Sequence, residues 1–222
     1  MYRARFLLPA WLILFLAGCA SLNGLSGSVT AETEETQSVI VPGIPSLSIN
    51  HFAGDVTIRD GEAGKITAHL TRMSRLDDAA EAQAQLDLIT MTFTQSGTNV
   101  TLSVEGADKV EDLVNAPAAI LEVLVPPGTV LDVDQGAGDL TVEQPGGDVT
   151  VNLGAGNATV TLPADASFHL KVTGGVATVN SEFENVPTGG PATDIDTTIG
   201  SNPTQTLSFN LGAGDVNLNK AP

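Results

Sequence analysis

Four aspartates and one asparagine stand directly after a glycine at matching places: Asp55, Asp139, Asp148, Asn157 and Asp215 follow Gly54, Gly138, Gly147, Gly156 and Gly214. A carboxylate row of this kind could hold a hard cation, calcium above all, because hard cations take oxygen ligands. The nonapeptide motif that binds calcium reads Gly-Gly-x-Gly-x-Asp, whereas here glycine and acid are adjacent. A second chemistry fits the same residues: glycine takes a left-handed corner, and Asp or Asn hydrogen-bonds the local backbone, as in many turns. If one coil of chain takes two repeats, Asp139 falls beside Asn157, and the neutral amide there avoids a like-charge pair. That substitution favours backbone capping over metal at Asp55, Asp139, Asp148 and Asp215.

Other reactive side chains are sparse. Asp132 and Asp134 lie two apart on one strand face, a separation of roughly 7 Å, which could in principle serve glycoside hydrolysis. Neither a basic group nor an aromatic platform accompanies them, so a solvated outer face is the favoured reading. His51, His69 and His169 are scattered and none sits at metal-ligand spacing. No serine occurs in a Gly-x-Ser-x-Gly setting, and the glycines precede strands rather than a helix, so neither a nucleophile elbow nor a phosphate loop is visible. Asn157-Ala158-Thr159 matches a glycosylation sequon but falls inside a repeat strand.

The elements that must position these residues repeat. Gly138, Gly147 and Gly156 are nine residues apart, and each opens a unit ending in apolar-Thr-Val. Looser echoes start at Gly54, Gly175 and Gly214. A short strand of period two cannot bury its apolar face alone, but stacked copies can, so a fixed period points to a solenoid. The expected fold is all-β: a single-stranded-type β-solenoid or β-helix with one short helix packed on its side or end. Residues 76–89, rich in Ala and Gln with Asp77 or Asp78 as N-cap, supply that helix. Met91–Thr94 and Val100–Val104, joined through Gly97, read as a hairpin. Glu105–Pro117 reads as a polar loop, and 184–206 as an irregular excursion between two rungs.

Ahead of this body, Arg3 and Arg5 precede ten apolar residues from Phe6 to Phe15. Ten are too few to span a bilayer, which takes ~20, but suit a secretory signal peptide. Leu16-Ala17-Gly18-Cys19 resembles the lipobox of bacterial lipoproteins, in which the cysteine is acylated and becomes the first mature residue; Cys19 is the protein's single cysteine. The expected organisation is a lipoprotein signal peptide at 1–18, lipidated Cys19 with a flexible tether at 19–38, and a β-solenoid adhesin-like domain at 39–219. Past the leader, seven Lys and Arg face 26 Asp and Glu. That balance excludes nucleic acid and anionic headgroups as partners, since both need clustered basic residues. Tyr2 and Trp11 lie in the leader, so the mature chain keeps only phenylalanine among the aromatics.

Several features in this order resemble the bacterial putative-adhesin family of envelope domains: Phe52-Ala53-Gly54-Asp55-Val56, the Ala-rich helix before a strand–Gly–strand pair, Val123-Leu124-Val125-Pro126, the Gly-Asp-apolar-Thr-Val run, and Leu211-Gly212-Ala213-Gly214-Asp215. The resemblance spans residues 39–219 and implies a β-solenoid body and a cell-surface location; it brings no catalytic residues. The expectation is a lipid-anchored, extracytoplasmic, non-enzymatic adhesion or envelope interaction module, on the outer membrane if the host has one. Its partners would be the membrane, through the anchor, and an envelope protein or surface glycan. An envelope-stress accessory protein modulating a membrane sensor or transporter is the alternative, and a polysaccharide-acting enzyme ranks behind both.

Overall fold

The computed structural model describes residues 29–106, 116–187 and 194–222. The expected leader, Cys19 and parts of the two loops (107–115 and 188–193) lie outside the described residues. The chain forms β1 (Ala31–Ile40), β2 (Ser46–Ala53), β3 (Val56–Asp60), β4 (Lys65–Ser74), α1 (Ala79–Leu86), β5 (Thr90–Ser96) and β6 (Asn99–Glu105). It continues with β7 (Ala118–Val125), β8 (Val130–Ala137), β9 (Leu140–Glu143), β10 (Val149–Ala155), β11 (Ala158–Leu162), β12 (Phe168–Ser181), β13 (Asp194–Ile199) and β14 (Gln205–Lys220). The fold is all-β with one short helix.

The repeated unit is a rung: one strand, a glycine bend, and a second strand. β2 with β3, β8 with β9, and β10 with β11 are rungs, while β14 and β12 each run through their bend as single long strands. Rungs stack parallel and in register. On one face Leu47, Leu131, Val149, Leu207 and Leu170 stand opposite one another in turn. On the other face Val56, Leu140, Ala158, Val216 and Val179 do the same. Period-two alternation sends these side chains inward, and each is 2 % exposed or less. The two inner faces meet in one apolar core. Burying a Val or Leu contributes about 1.5–3 kcal/mol, and the columns repeat that gain at every rung.

The fourteen strands of the described residues belong to one sheet, in the order β1-β4-β7-β3-β9-β11-β14-β10-β8-β2-β6-β5, with β12 and β13 beyond β14. Because β14 lies in both faces, the sheet doubles back on itself. Its two path ends, β1 and β5, come together: Gln37 Nε2 donates to the Met91 carbonyl and Gln95 Nε2 to the Ile40 carbonyl, both at 2.9 Å. The result is a nearly closed, barrel-like sheet. α1 packs against β1 and β4 at this end. Asp78 caps it by accepting from Ala80 N at 2.9 Å and Glu81 N at 3.0 Å. At the other end Phe183 and Val186 cover the core, and the Phe183 ring meets Phe168 edge-on at 5.2 Å.

Several sequence expectations need correction. A β-solenoid stacks its coils in chain order, and here the order is broken twice. The β2–β3 rung sits between β6 or β7 and the β8–β9 rung, and β14 sits between the β10–β11 rung and β12. Units with the same Gly corner and apolar spacing are interchangeable, so the repeat does not encode their order. Residues 31–38, assigned to the tether, belong to β1, which pairs antiparallel with β4 from Ala31↔Ser74 to Ile40↔Lys65. Within the 184–206 excursion, Asp194–Ile199 is β13, antiparallel to β12. The helix is shorter than 76–89. Gly175 aligns two residues out of phase with the other echoes, since Ala177 rather than Gly175 stands opposite Gly214.

The nine-residue beat is half a rung. Gly54, Gly138, Gly156 and Gly214 form one bend column with φ between +120° and +141°. Gly147 belongs to the opposite corner, between β9 and β10, and lacks a positive φ. In the bend column the backbones nearly touch: a Cβ on Gly156 would fall on the Gly138 carbonyl, and one on Gly138 on that of Gly54. Gly156→Ala is therefore expected to cost about 3 kcal/mol. Gly97→Ala, with φ +64° and nothing within 4 Å, should cost only about 1 kcal/mol. Urea unfolding of the two variants beside the wild type checks the contrast.

Candidate functional site

Two features meet at the bend. The first is the acid column that follows the glycines. Asp139 N donates to Asp55 Oδ1 at 3.0 Å, Asn157 N to Asp139 Oδ1 at 2.9 Å, and Asp215 N to Asn157 Oδ1 at 3.2 Å. Asn157 Nδ2 also donates to Asp139 Oδ1, at 3.1 Å. Each side chain thus caps the backbone of the next rung, and the stack places Asp139 beside Asn157. Asp148 is apart from this column at the opposite corner, where its Oδ1 accepts from Thr206 N at 2.7 Å. Asp55, Asp139 and Asp215 are brought into one row, and Asp148 is not. Among the described residues no three His, Cys, Asp or Glu side chains gather as a metal-holding group.

The second feature is an open groove of about 780 Å³ along the outer surface of the bend. Register explains its walls. Asn50, Asp134, Asn152 and Asn210 are paired in turn across β2, β8, β10 and β14, so they form one outward column. Asn152 Nδ2 donates to Asp134 Oδ1 at 2.7 Å. The bonds from Asn210 Nδ2 to Asn152 Oδ1 and from Asn50 Nδ2 to Ser103 Oγ are long, at 3.5 Å each. Two residues further along, the column reads Phe52, Gly136, Gly154, Gly212 and Gly175, which makes the floor bare backbone beyond Phe52. Close stacking requires those glycines, since a Cβ on Gly154 would strike the Gly136 carbonyl and one on Gly212 that of Gly154. Phe52, at the end of this floor, is 49 % exposed, while Phe93, Phe168, Phe183 and Phe209 are buried.

Beneath the floor lie two buried polar side chains, His51 and Gln135, which stand opposite each other on β2 and β8. His51 Nε2 bonds the Ala119 carbonyl at 3.1 Å, and Gln135 Nε2 donates to the Gly54 carbonyl at 2.7 Å. Among the described residues His51 Nδ1 has no hydrogen-bond partner. Burial pushes the His51 pKa below 6.5, outweighing the carbonyl bond and the nearby Asp55 charge, both of which raise it. Asp132 and Asp134 are neighbours on the outer face of β8. Partial burial raises the Asp132 pKa, and the Asp134 charge adds to the rise. His69 bonds Thr36 Oγ1 through Nδ1 at 2.8 Å, and His169 pairs with Asp196 at 2.9 Å. The three histidines remain far apart in the sheet. The asparagine column and the glycine floor were missed by reading the sequence, although the tripeptide Gly-Ala-Gly ending at Gly138, Gly156 and Gly214 carried the signal.

Against solved structures, the chain shares its fold with one described as a putative cell adhesion protein from Clostridium sporogenes. The identity is 16 %, the TM-score 0.55, and the match covers 86 % of this chain and 100 % of that one. A structure described as a putative adhesin from Bacteroides fragilis matches at 14 % identity and a TM-score of 0.27, covering 85 % of this chain and 98 % of the other. No protein-family model and no curated protein sequence matches the chain.

Two outcomes follow from this geometry. Asp139→Ala removes the acceptor for Asn157 N and should cost about 1 kcal/mol, whereas Asp139→Asn keeps a carbonyl oxygen there and should be near neutral; chemical denaturation distinguishes them. For His51 the unfolded chain binds protons more readily than the folded one, so stability falls as pH drops from 6.5 toward the lower folded pKa. A His51→Gln variant should flatten that part of the stability–pH profile.

Proposed function

We propose that the protein is a non-enzymatic surface adhesion module, held outside the cytoplasm by a lipid on Cys19 and presenting a solenoid-like stack of rungs. The observation that carries this reading is the outer groove: four polar side chains in one register column above a floor of stacked glycine backbone. A rigid ladder repeats the same short-range contact at every rung, which suits attachment to an extended partner better than turnover of a small molecule. Asp132 and Asp134 sit beside amides and hydroxyls of neighbouring rungs, and this supports a solvated outer face there. The shared fold with a structure carrying a cell adhesion name agrees with the reading.

Lipidation supplies about 0.8 kcal/mol per buried methylene, and more than one acyl chain gives stable anchoring. Cys19→Ser should move the protein from the membrane fraction to the soluble fraction of the producing cell. Mass spectrometry should find two or more acyl chains on the wild-type N-terminus and none on the variant. Adhesion itself is tested with the Cys19→Ser protein, expressed without its leader, on immobilised bacterial envelopes. Retention above that of a similarly acidic control protein supports the module; equal retention removes it.

Asp55 and Asp139 in the column, and Asp148 at the opposite corner, are read as backbone caps because one oxygen of each already accepts a backbone N–H. Addition of EDTA should therefore leave the Tm unchanged. A fall in Tm that calcium restores would instead make Asp55, Asp139 and Asp215 cation ligands.

A further inference from the structure

We infer that the groove takes a neutral, hydroxyl-rich glycan chain lying along the stacking axis, across β2, β8, β10 and β14. This rests on the adhesive reading above and names the partner of the same groove. Its wall repeats at the strand spacing, ~4.8 Å, so four rungs offer a row roughly 14 Å long. An asparagine amide both donates and accepts, and so does a sugar hydroxyl. Asn50 and Asn210 make their in-wall bonds at 3.5 Å, which leaves most of their hydrogen-bonding capacity for a bound chain.

The floor adds selectivity of a different kind. Gly136, Gly154 and Gly212 place no side chain in the way, so a flat ring can lie close to the backbone. Phe52, half-exposed in the same column, supplies an apolar face for the C–H side of one sugar at the end of the row. Among the described residues the charged side chains lining the groove are Asp134 and Glu105, both acidic, in a chain of formal charge −17. Like-charge repulsion then disfavours uronate, sulfated or phosphate-bearing polymers. An extended peptide fits less well. β2, β8, β10 and β14 each have hydrogen-bonded neighbours on both sides, which leaves no strand edge in the groove for backbone pairing. The volume, about 780 Å³, lies within the roughly 300–1,000 Å³ of ligand sites.

The test uses the Cys19→Ser protein, expressed without its leader, in calorimetric titration. The probes are neutral tetrasaccharides (cello-, xylo-, chito- and malto-oligosaccharides) with oligogalacturonate as the anionic probe. Binding of at least one neutral tetrasaccharide is expected, with oligogalacturonate at least tenfold weaker. Phe52→Ser and Asn210→Ala, both exposed positions, should each weaken binding about tenfold while leaving the Tm within a few degrees. Binding that is unchanged in both variants, or stronger for oligogalacturonate, overturns the inference. If none of the neutral sugars binds while the same protein is still retained on immobilised envelopes, the glycan falls and the adhesive reading stands. Loss of both removes the two together.

Discussion

The architecture depends on how closely neighbouring rungs approach at the bend. Gly54, Gly138, Gly156 and Gly214 each lie against the carbonyl of the rung beneath, in a space where a Cβ would collide with backbone. Gly136, Gly154 and Gly212 repeat the same close fit two residues earlier. That proximity lets Gly138 N reach the Ala155 carbonyl and Gly156 N the Ala213 carbonyl, both at 3.0 Å, so backbone bonds tie the rungs together at the corner itself. With the corner fixed, the strands on either side have no freedom of register. Every inward column of the core, and every outward column of the groove, follows from it.

The acids are part of this scheme rather than a chemistry laid over it. A tight bend turns backbone N–H groups out of the ladder, and an unpaired donor costs free energy when it is shielded from water. Asp55, Asp139 and Asn157 each supply the missing acceptor from one rung to the next, and Asp148 does so at the opposite corner. Asn157 places one amide in the column and so separates the carboxylates of Asp139 and Asp215. Edges are handled by the same economy. β1 and β5 are bridged by Gln37 and Gln95, while β13 turns Asp194 and Asp196 outward, a charge pattern that discourages edge-to-edge pairing.

Much of this was legible in the sequence, and the limits were physical. Apolar alternation around Val56, Leu140, Val149, Ala158 and Val216 marked the strands, and the recurring Gly-Asp pair marked the corners. The hairpin through Gly97 and the helix capped by Asp78 were equally clear, because turn and cap residues act locally. What escaped was the order of stacking, since the Gly54 and Gly214 units match any neighbour equally well. β1 escaped too: Glu32, Glu34 and Glu35 make it look like a solvated tether, yet Glu35 pairs with Arg72 of β4 at 3.3 Å, a partner 37 residues away that local reading does not reveal. The groove was invisible for a related reason. Asn50, Asp134, Asn152 and Asn210 are distant in sequence and ordinary one at a time; only the register makes them a row.

The insertion of β14 between β11 or β10 and β12 has a kinetic consequence. β14 is the last stretch of chain, and β12 and β13 join the rest of the sheet through it, whereas the strands from β1 to β11 pair with one another without it. Long-range pairing of this kind slows closure. The far end of the stack therefore locks last, when the closing segment enters between β12 and the β10–β11 rung.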